Sequence, residues 1–153
     1  MPPNSPSPSS EGPPMTQSTL KTLLLAHITL EEFTQLKTNS PALILSSFNR
    51  AKLLEMRDFP AQEKEVSAEK VKVLHLALRD YLRTYMKDQP EAHKWIILTC
   101  LYLAFVKGEP LHPKEIAGYI ERTDRGKRVW FCPLREGGEG SICSYCVCRK
   151  LEN

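Results

Sequence analysis

Residues 90–107, PEAHKWIILTCLYLAFVK, decide the fold. Pro90 suits a first helical position, where its missing N–H costs nothing, and Gly108-Glu109-Pro110 supplies the stop. Between them the chain is apolar almost all round, which predicts a helix in the middle of a bundle, touched by several others. The most apolar run, Trp95 to Val106, is twelve residues long. A membrane span needs about 20, so this is read as a core helix of a soluble, cytoplasmic protein.

The neighbours of a central helix should be amphipathic, and the preceding segment is. From Ser67, a stripe of Val71, Leu74, Leu78, Tyr81, Leu82 and Tyr85 recurs at helical steps, while Lys72, Arg79, Arg83 and Lys87 fall elsewhere around the axis. Asp58-Phe59-Pro60 closes an earlier helix expected over about 41–57, with Ser40 as its cap, Pro41 at its first position and Leu45, Phe48, Leu53 and Met56 facing inward. Two short helices come before it, near 18–27 and 30–38. The first carries Leu20, Leu23, Leu24 and His27 on one face; the second opens with a capping box, Thr29 followed three places on by Glu32. Residues 1–17, rich in Pro and Ser, have too little apolar surface to offset their ordering entropy and are expected to form a disordered tail.

With 153 residues the chain fits one domain, and 41% hydrophobic residues can build a core without covalent staples. Lys and Arg number 21 against 18 Asp and Glu, a net +3 that does not by itself argue for nucleic-acid binding. The N-terminus lacks the basic start and apolar stretch of an export signal. Five cysteines, an odd number with four crowded at one end, are unlike a secreted disulfide framework.

After residue 107 the character changes. Tyr119-Ile120, the turn-rich 123–127 and Val129-Trp130-Phe131 predict a β-hairpin leading into Cys132-Pro133, and Glu136 to Glu139 a flexible loop. The organisation is thus a tail over 1–17, a helical bundle over 18–107, and a Cys/His metal-binding appendage over 108–153. The fold class is mainly α, about five helices with a small C-terminal hairpin.

Cys143-Ser144-Tyr145-Cys146 is a C-x-x-C unit, whose spacing lets two thiolates face one ion across a tight turn. Cys132 is the obvious third ligand. His112 and Cys148 compete for the fourth place, the first if the hairpin folds over, the second without any long-range folding. A histidine in the set favours zinc; an all-cysteine set would also suit an iron–sulfur cluster. Cys100 is read as a small buried side chain within the apolar helix, and His27, His75 and His93 as ordinary surface or boundary residues. Arg122, Arg125, Lys127 and Arg128 beside Trp130 and Phe131 resemble the charge and stacking surface of nucleic-acid binders. Glu121 and Asp124 among them favour a solvated turn instead.

Tyr102-Leu103-Ala104-Phe105, Pro110-Leu111-His112-Pro113, Phe131-Cys132-Pro133-Leu134-Arg135 and Cys143-Ser144-Tyr145-Cys146 together resemble an uncharacterised family of methanogenic archaea, domain of unknown function 2115. The resemblance runs over about residues 67–150. It implies a histidine-proline, a Cys-Pro and a C-x-x-C at the places of His112, Cys132, Cys143 and Cys146, which makes those four the preferred metal ligands and leaves Cys148 as an alternative. It implies no activity.

The resulting expectation is a helical protein with one closed structural zinc site, acting as a binding module for a protein partner. Four protein ligands leave no position for a catalytic water, so no catalytic residue is assigned. The alternatives are a dithiol redox or iron–sulfur protein using Cys143 and Cys146, and nucleic-acid binding through the basic hairpin 122–131. Thioredoxin-like chemistry wants its C-x-x-C at a helix start after a strand, which this motif lacks.

Overall fold

The central helix forms where expected. In a computed structural model, which describes residues 14–133 and 142–150, α5 runs Pro90–Tyr102 with proline in its first turn. Leu103–Lys107 continue it as a wider π turn. Gly108, at φ +71°, ends it in the left-handed conformation that a side chain would resist. The N–H groups of Gly108 and Glu109 both reach back to the Leu103 carbonyl, at 2.9 and 3.1 Å. Around α5 lie α1 (Gln17–Leu25), α3 (Ser47–Asp58) and α4 (Ala68–Tyr85), while α2 (Leu30–Lys37) packs on α3. Trp95, Leu98, Leu101, Tyr102 and Leu103 share one core with Leu20, Leu24, Leu36, Leu53, Met56, Leu74 and Leu78.

The differences from expectation have identifiable causes. The third helix starts at Ser47 rather than near 41: Ser46, not Ser40, caps it by accepting the Asn49 N–H at 3.1 Å. Ser40 caps only a turn, through the Ala42 N–H, so Leu45 packs on the core from a loop. On α1 the inward face is Leu20 and Leu24, continued by Ile28, whereas Leu23 and His27 point outward. On α4, Leu74, Leu78 and Leu82 are buried, but Tyr81 and Tyr85 are 50% and 70% exposed and pack on each other with ring centroids 4.7 Å apart. Apolar periodicity marks a face wider than the one actually covered. The expected tail divides: residues 1–13 lie outside the described residues, but Met15 accepts from the Val66 N–H at 2.8 Å and Thr16 caps α1.

The capping box of α2 is present in both directions, Thr29 Oγ1 accepting the Glu32 N–H at 3.0 Å and Glu32 Oε1 accepting the Thr29 N–H at 2.9 Å. Glu32 also pairs with Lys94 of α5 at 2.9 Å. Burial opposes ionisation of Glu32, but the Thr29 N–H and the Lys94 ammonium outweigh it and hold the carboxyl below its ordinary value. Thr29→Ala should therefore cost about 1 kcal/mol. Urea unfolding at 25 °C checks this, with Thr29→Ser close to wild type.

Beyond Gly108 come α6 (Lys114–Ala117) and an antiparallel hairpin, β1 (Ile120–Asp124) with β2 (Lys127–Cys132). Arg125 and Gly126 turn it with φ of 53° and 80°, the paired positive values of a tight two-residue hairpin turn. The two-residue β3 (Arg149–Lys150), which the sequence did not suggest, lies parallel to β2 with Phe131 opposite Arg149 and Cys132 opposite Lys150. The expected loop at Glu136 to Glu139 lies outside the described residues. No helix among the described residues is long and apolar enough to cross a membrane.

Candidate functional site

Three of the C-terminal cysteines meet because of β3. Cys132 ends β2, and Cys148 directly precedes β3, so strand pairing brings them to one small core with Ala117 and Trp130. Cys132 and Cys148 are buried, at 8% and 4% exposure, and Cys146 packs on the edge of the same group. No disulfide joins any of the five cysteines. A core with so few apolar residues gains little from burial, and two of its four members are thiols.

Cys143 lies in a single 3-10 turn, Ile142–Tyr145, and its carbonyl accepts the Cys146 N–H at 3.1 Å. The C-x-x-C unit therefore lies on a tight turn. Cys146 is the electrostatic centre of the region. A hydrogen bond with the Cys148 side chain, then backbone hydrogen bonds with Cys148 and Leu111 and the nearby charge of His112, outweigh burial and bring its thiol down to about 6. His112 itself is exposed, in the loop after the buried Leu111.

Of the residues singled out from the sequence, Cys132, Cys146 and Cys148 share a cluster, His112 lies within electrostatic reach of Cys146, and Cys143 sits on the preceding turn. As the side chains stand, no three His, Cys, Asp or Glu among the described residues are grouped to hold a metal ion. The set of His112, Cys132, Cys143 and Cys146 is thus not assembled around a common point in this conformation.

Cys100 is the small core side chain that the apolar helix predicts. It lies on the face of α5 that carries Ile97, packs on the main core as Cys146 also does, and is raised to about 12 by burial first and the charge of Cys146 second.

The basic hairpin has its aromatic faces already occupied. The Arg122 guanidinium lies 5.4 Å from the Phe131 ring centroid and that of Arg128 lies 5.3 Å from Trp130, which is buried. Arg128 also pairs with Glu121 across the strands. Stacking a base there would first require displacing a guanidinium.

A family model described as an uncharacterized protein conserved in archaea, DUF2115, matches residues 25–151. A UPF0305 protein of Methanocaldococcus jannaschii is 24% identical over 113 residues, covering 71% of this chain and 67% of the relative. UPF0305 proteins of Methanopyrus kandleri and Methanothermobacter thermautotrophicus are 32% and 33% identical over 76 and 79 residues, 45% and 48% of this chain. The matched stretches span about half the length of those two relatives, 51% and 49%. No solved structure matches the chain.

Proposed function

The chain belongs to the uncharacterised archaeal family DUF2115, and on that premise we propose that it is a metal-binding interaction module, holding one divalent ion where the C-terminal hairpin meets the helical body. The convergence of Cys132 with Cys146 and Cys148 carries this reading. Thiolate donors select zinc over magnesium or calcium, and an iron–sulfur cluster is the other group that such donors accept. Backbone N–H groups aimed at a sulfur favour its thiolate form, the form that binds metal. His112 and Cys143 are the further donors within the same region, as the family pattern implies.

The ion's role would be structural. It would close a small thiol-lined core, and with four protein ligands it would present no open position to a substrate. The exposed hairpin then becomes the element that the ion holds in place for a protein partner. Full-length protein purified without added zinc should carry close to one metal ion per chain, and a chelator should loosen residues 108–150 while leaving the far-UV helical signal. A folded chain with metal content near zero, before and after incubation with zinc, would overturn the reading.

One observation favours a second reading, a dithiol redox pair. The side chain that hydrogen-bonds the Cys146 sulfur is that of Cys148, so the reactive pair would be Cys146 with Cys148 in place of Cys143. At neutral pH such a thiol is largely ionised. An aromatic disulfide reagent distinguishes the two: fast modification of Cys146 that a chelator does not accelerate supports the redox pair, and slow modification that a chelator releases supports the metal.

A further inference from the structure

Cys146 and Cys148 are the two thiols of the appendage placed to share a bond. They stand two residues apart, and the chain bends at Cys146 and Val147. Cys148 is buried in the satellite core with Ala117, Trp130 and Cys132, Cys146 packs on the edge of that core, and the two side chains are hydrogen-bonded. Other pairings are less well placed. Cys132 lies opposite Lys150 rather than Cys148. A strand spacing of about 4.8 Å and an offset of two residues, about 6.6 Å, put the Cα atoms of Cys132 and Cys148 about 8 Å apart. A disulfide reaches across about 7 Å at most. Cys143, on the preceding 3-10 turn, is a member of neither core. What Cys148 leads into is slight: β3 pairs with β2 only through Arg149 and Lys150.

We propose that Cys146 and Cys148 form a redox switch, in which a disulfide between them releases β3 from β2. This rests on the dithiol reading and gives that pair a structural output. The oxidant is the disulfide form of a low-molecular-weight thiol. Cys146, the more exposed of the two, attacks it. A bond forms between the Cys146 sulfur and one sulfur of the oxidant, whose own S–S bond breaks with the electron pair leaving on the other sulfur. The Cys148 sulfur then attacks that of Cys146 and expels the second small thiol. The two protein thiols lose two electrons and two protons, and the oxidant ends as two thiols that carry both. Closure draws the two sulfurs from hydrogen-bond contact to about 2.0 Å and the Cβ atoms to about 3.8 Å. Cys148 runs directly into β3, where extended backbone spaces residues two apart by about 6.6 Å. Pulling its Cβ back toward Cys146 therefore takes the chain off the line of the strand, and a ladder of two residue pairs resists little. The Cys148 sulfur leaves Trp130 and Cys132 in the same movement, and one edge of β2 is left unpaired.

The test treats the full chain, held with a chelator, with glutathione disulfide. Thiols are then alkylated in denaturant with one reagent before reduction and a second after it. Cys100, Cys132 and Cys143 should take the first reagent, and Cys146 and Cys148 the second. Cys148→Ser should stop at a mixed disulfide on Cys146, while Cys143→Ser should still close. Where Cys148→Ser does not fold, the wild-type labelling decides the pairing by itself. The release of β3 is read on Cys132, which is 8% exposed in the reduced protein. Its alkylation without denaturant should become about tenfold faster on oxidation and return to the starting rate on reduction. A bond between Cys143 and Cys146, or a Cys146–Cys148 bond that leaves Cys132 as protected as before, would overturn the switch while leaving a redox dithiol in place. Protein whose thiols all stay reduced would overturn the dithiol reading as well.

Discussion

Trp95→Ala is expected to lower stability by about 3–5 kcal/mol, the usual cost of emptying a large aromatic site in a core. Trp95 is 3% exposed and shares the core with residues from every helix that surrounds α5. Its carbonyl also accepts the buried Thr99 hydroxyl at 2.8 Å, so this turn of helix cannot easily shift to fill the hole. Lys94 adds a cation above the ring, 4.8 Å from a ring centroid. Domains of this size have about 5–15 kcal/mol in total, so the loss is a large share of it. The melting temperature, followed by circular dichroism at 222 nm, should fall by about 10–15 °C. Trp95→Phe should fall much less. A shift under about 3 °C for Trp95→Ala would mean that α5 does not lie at the centre of the bundle.

The second large effect should come from Glu55→Ala. Glu55 of α3 accepts from the Tyr102 hydroxyl at 2.9 Å and pairs with Lys107, while Glu109 pairs with Lys52 at 3.1 Å and with Lys107 at 3.2 Å. These residues tie α3 to the π turn and to the loop that follows it. Tyr102 is fully buried, so removing its acceptor leaves a hydroxyl without water or partner, at about 1–3 kcal/mol. The double variant Glu55→Ala/Tyr102→Phe should recover part of that loss, because the orphaned hydroxyl goes with its acceptor. A double variant less stable than Glu55→Ala would sink this account.

The same network sets a pH dependence. Burial opposes ionisation of Glu109, but hydrogen bonds and charge from Lys52 and Lys107 outweigh it and hold its carboxyl below the ordinary value. Its contribution is present above the unfolded carboxyl value and is lost as pH falls through the lower, folded value. Burial likewise pulls the Lys107 ammonium down, and Glu55 and Glu109 more than compensate, raising it. That contribution is present below the unfolded lysine value and disappears as pH rises through the folded one. Stability measured against pH should therefore fall off in acid, and Glu109→Gln should flatten the acid limb.

The helical body was legible where local chemistry decides the outcome. The Thr29/Glu32 box, Ser67 and Pro90 start their helices because each satisfies, or does without, an N–H that the first turn leaves open. The hairpin turn was legible too, since Gly126, at φ 80°, takes the left-handed conformation that a side chain would resist. Ser40-Pro41 misled because it carries the same local signal, while the chain around Leu43 and Leu45 was drawn into the core as a loop.

The candidate site divides along the same line. A short-range motif, Cys143 to Cys146, was visible from spacing alone, and so was the involvement of Cys132. The partnership of Cys148 with Cys132 depends on a two-residue parallel strand. It leaves no periodic trace in the sequence, because so short a strand pair has no preferred partner until the rest of the chain has packed. Sequence by itself determined the helices, their caps and the hairpin, each fixed by interactions within a few residues. Only the tertiary structure decided which thiols are neighbours, because distant segments meet through the packing of whole elements.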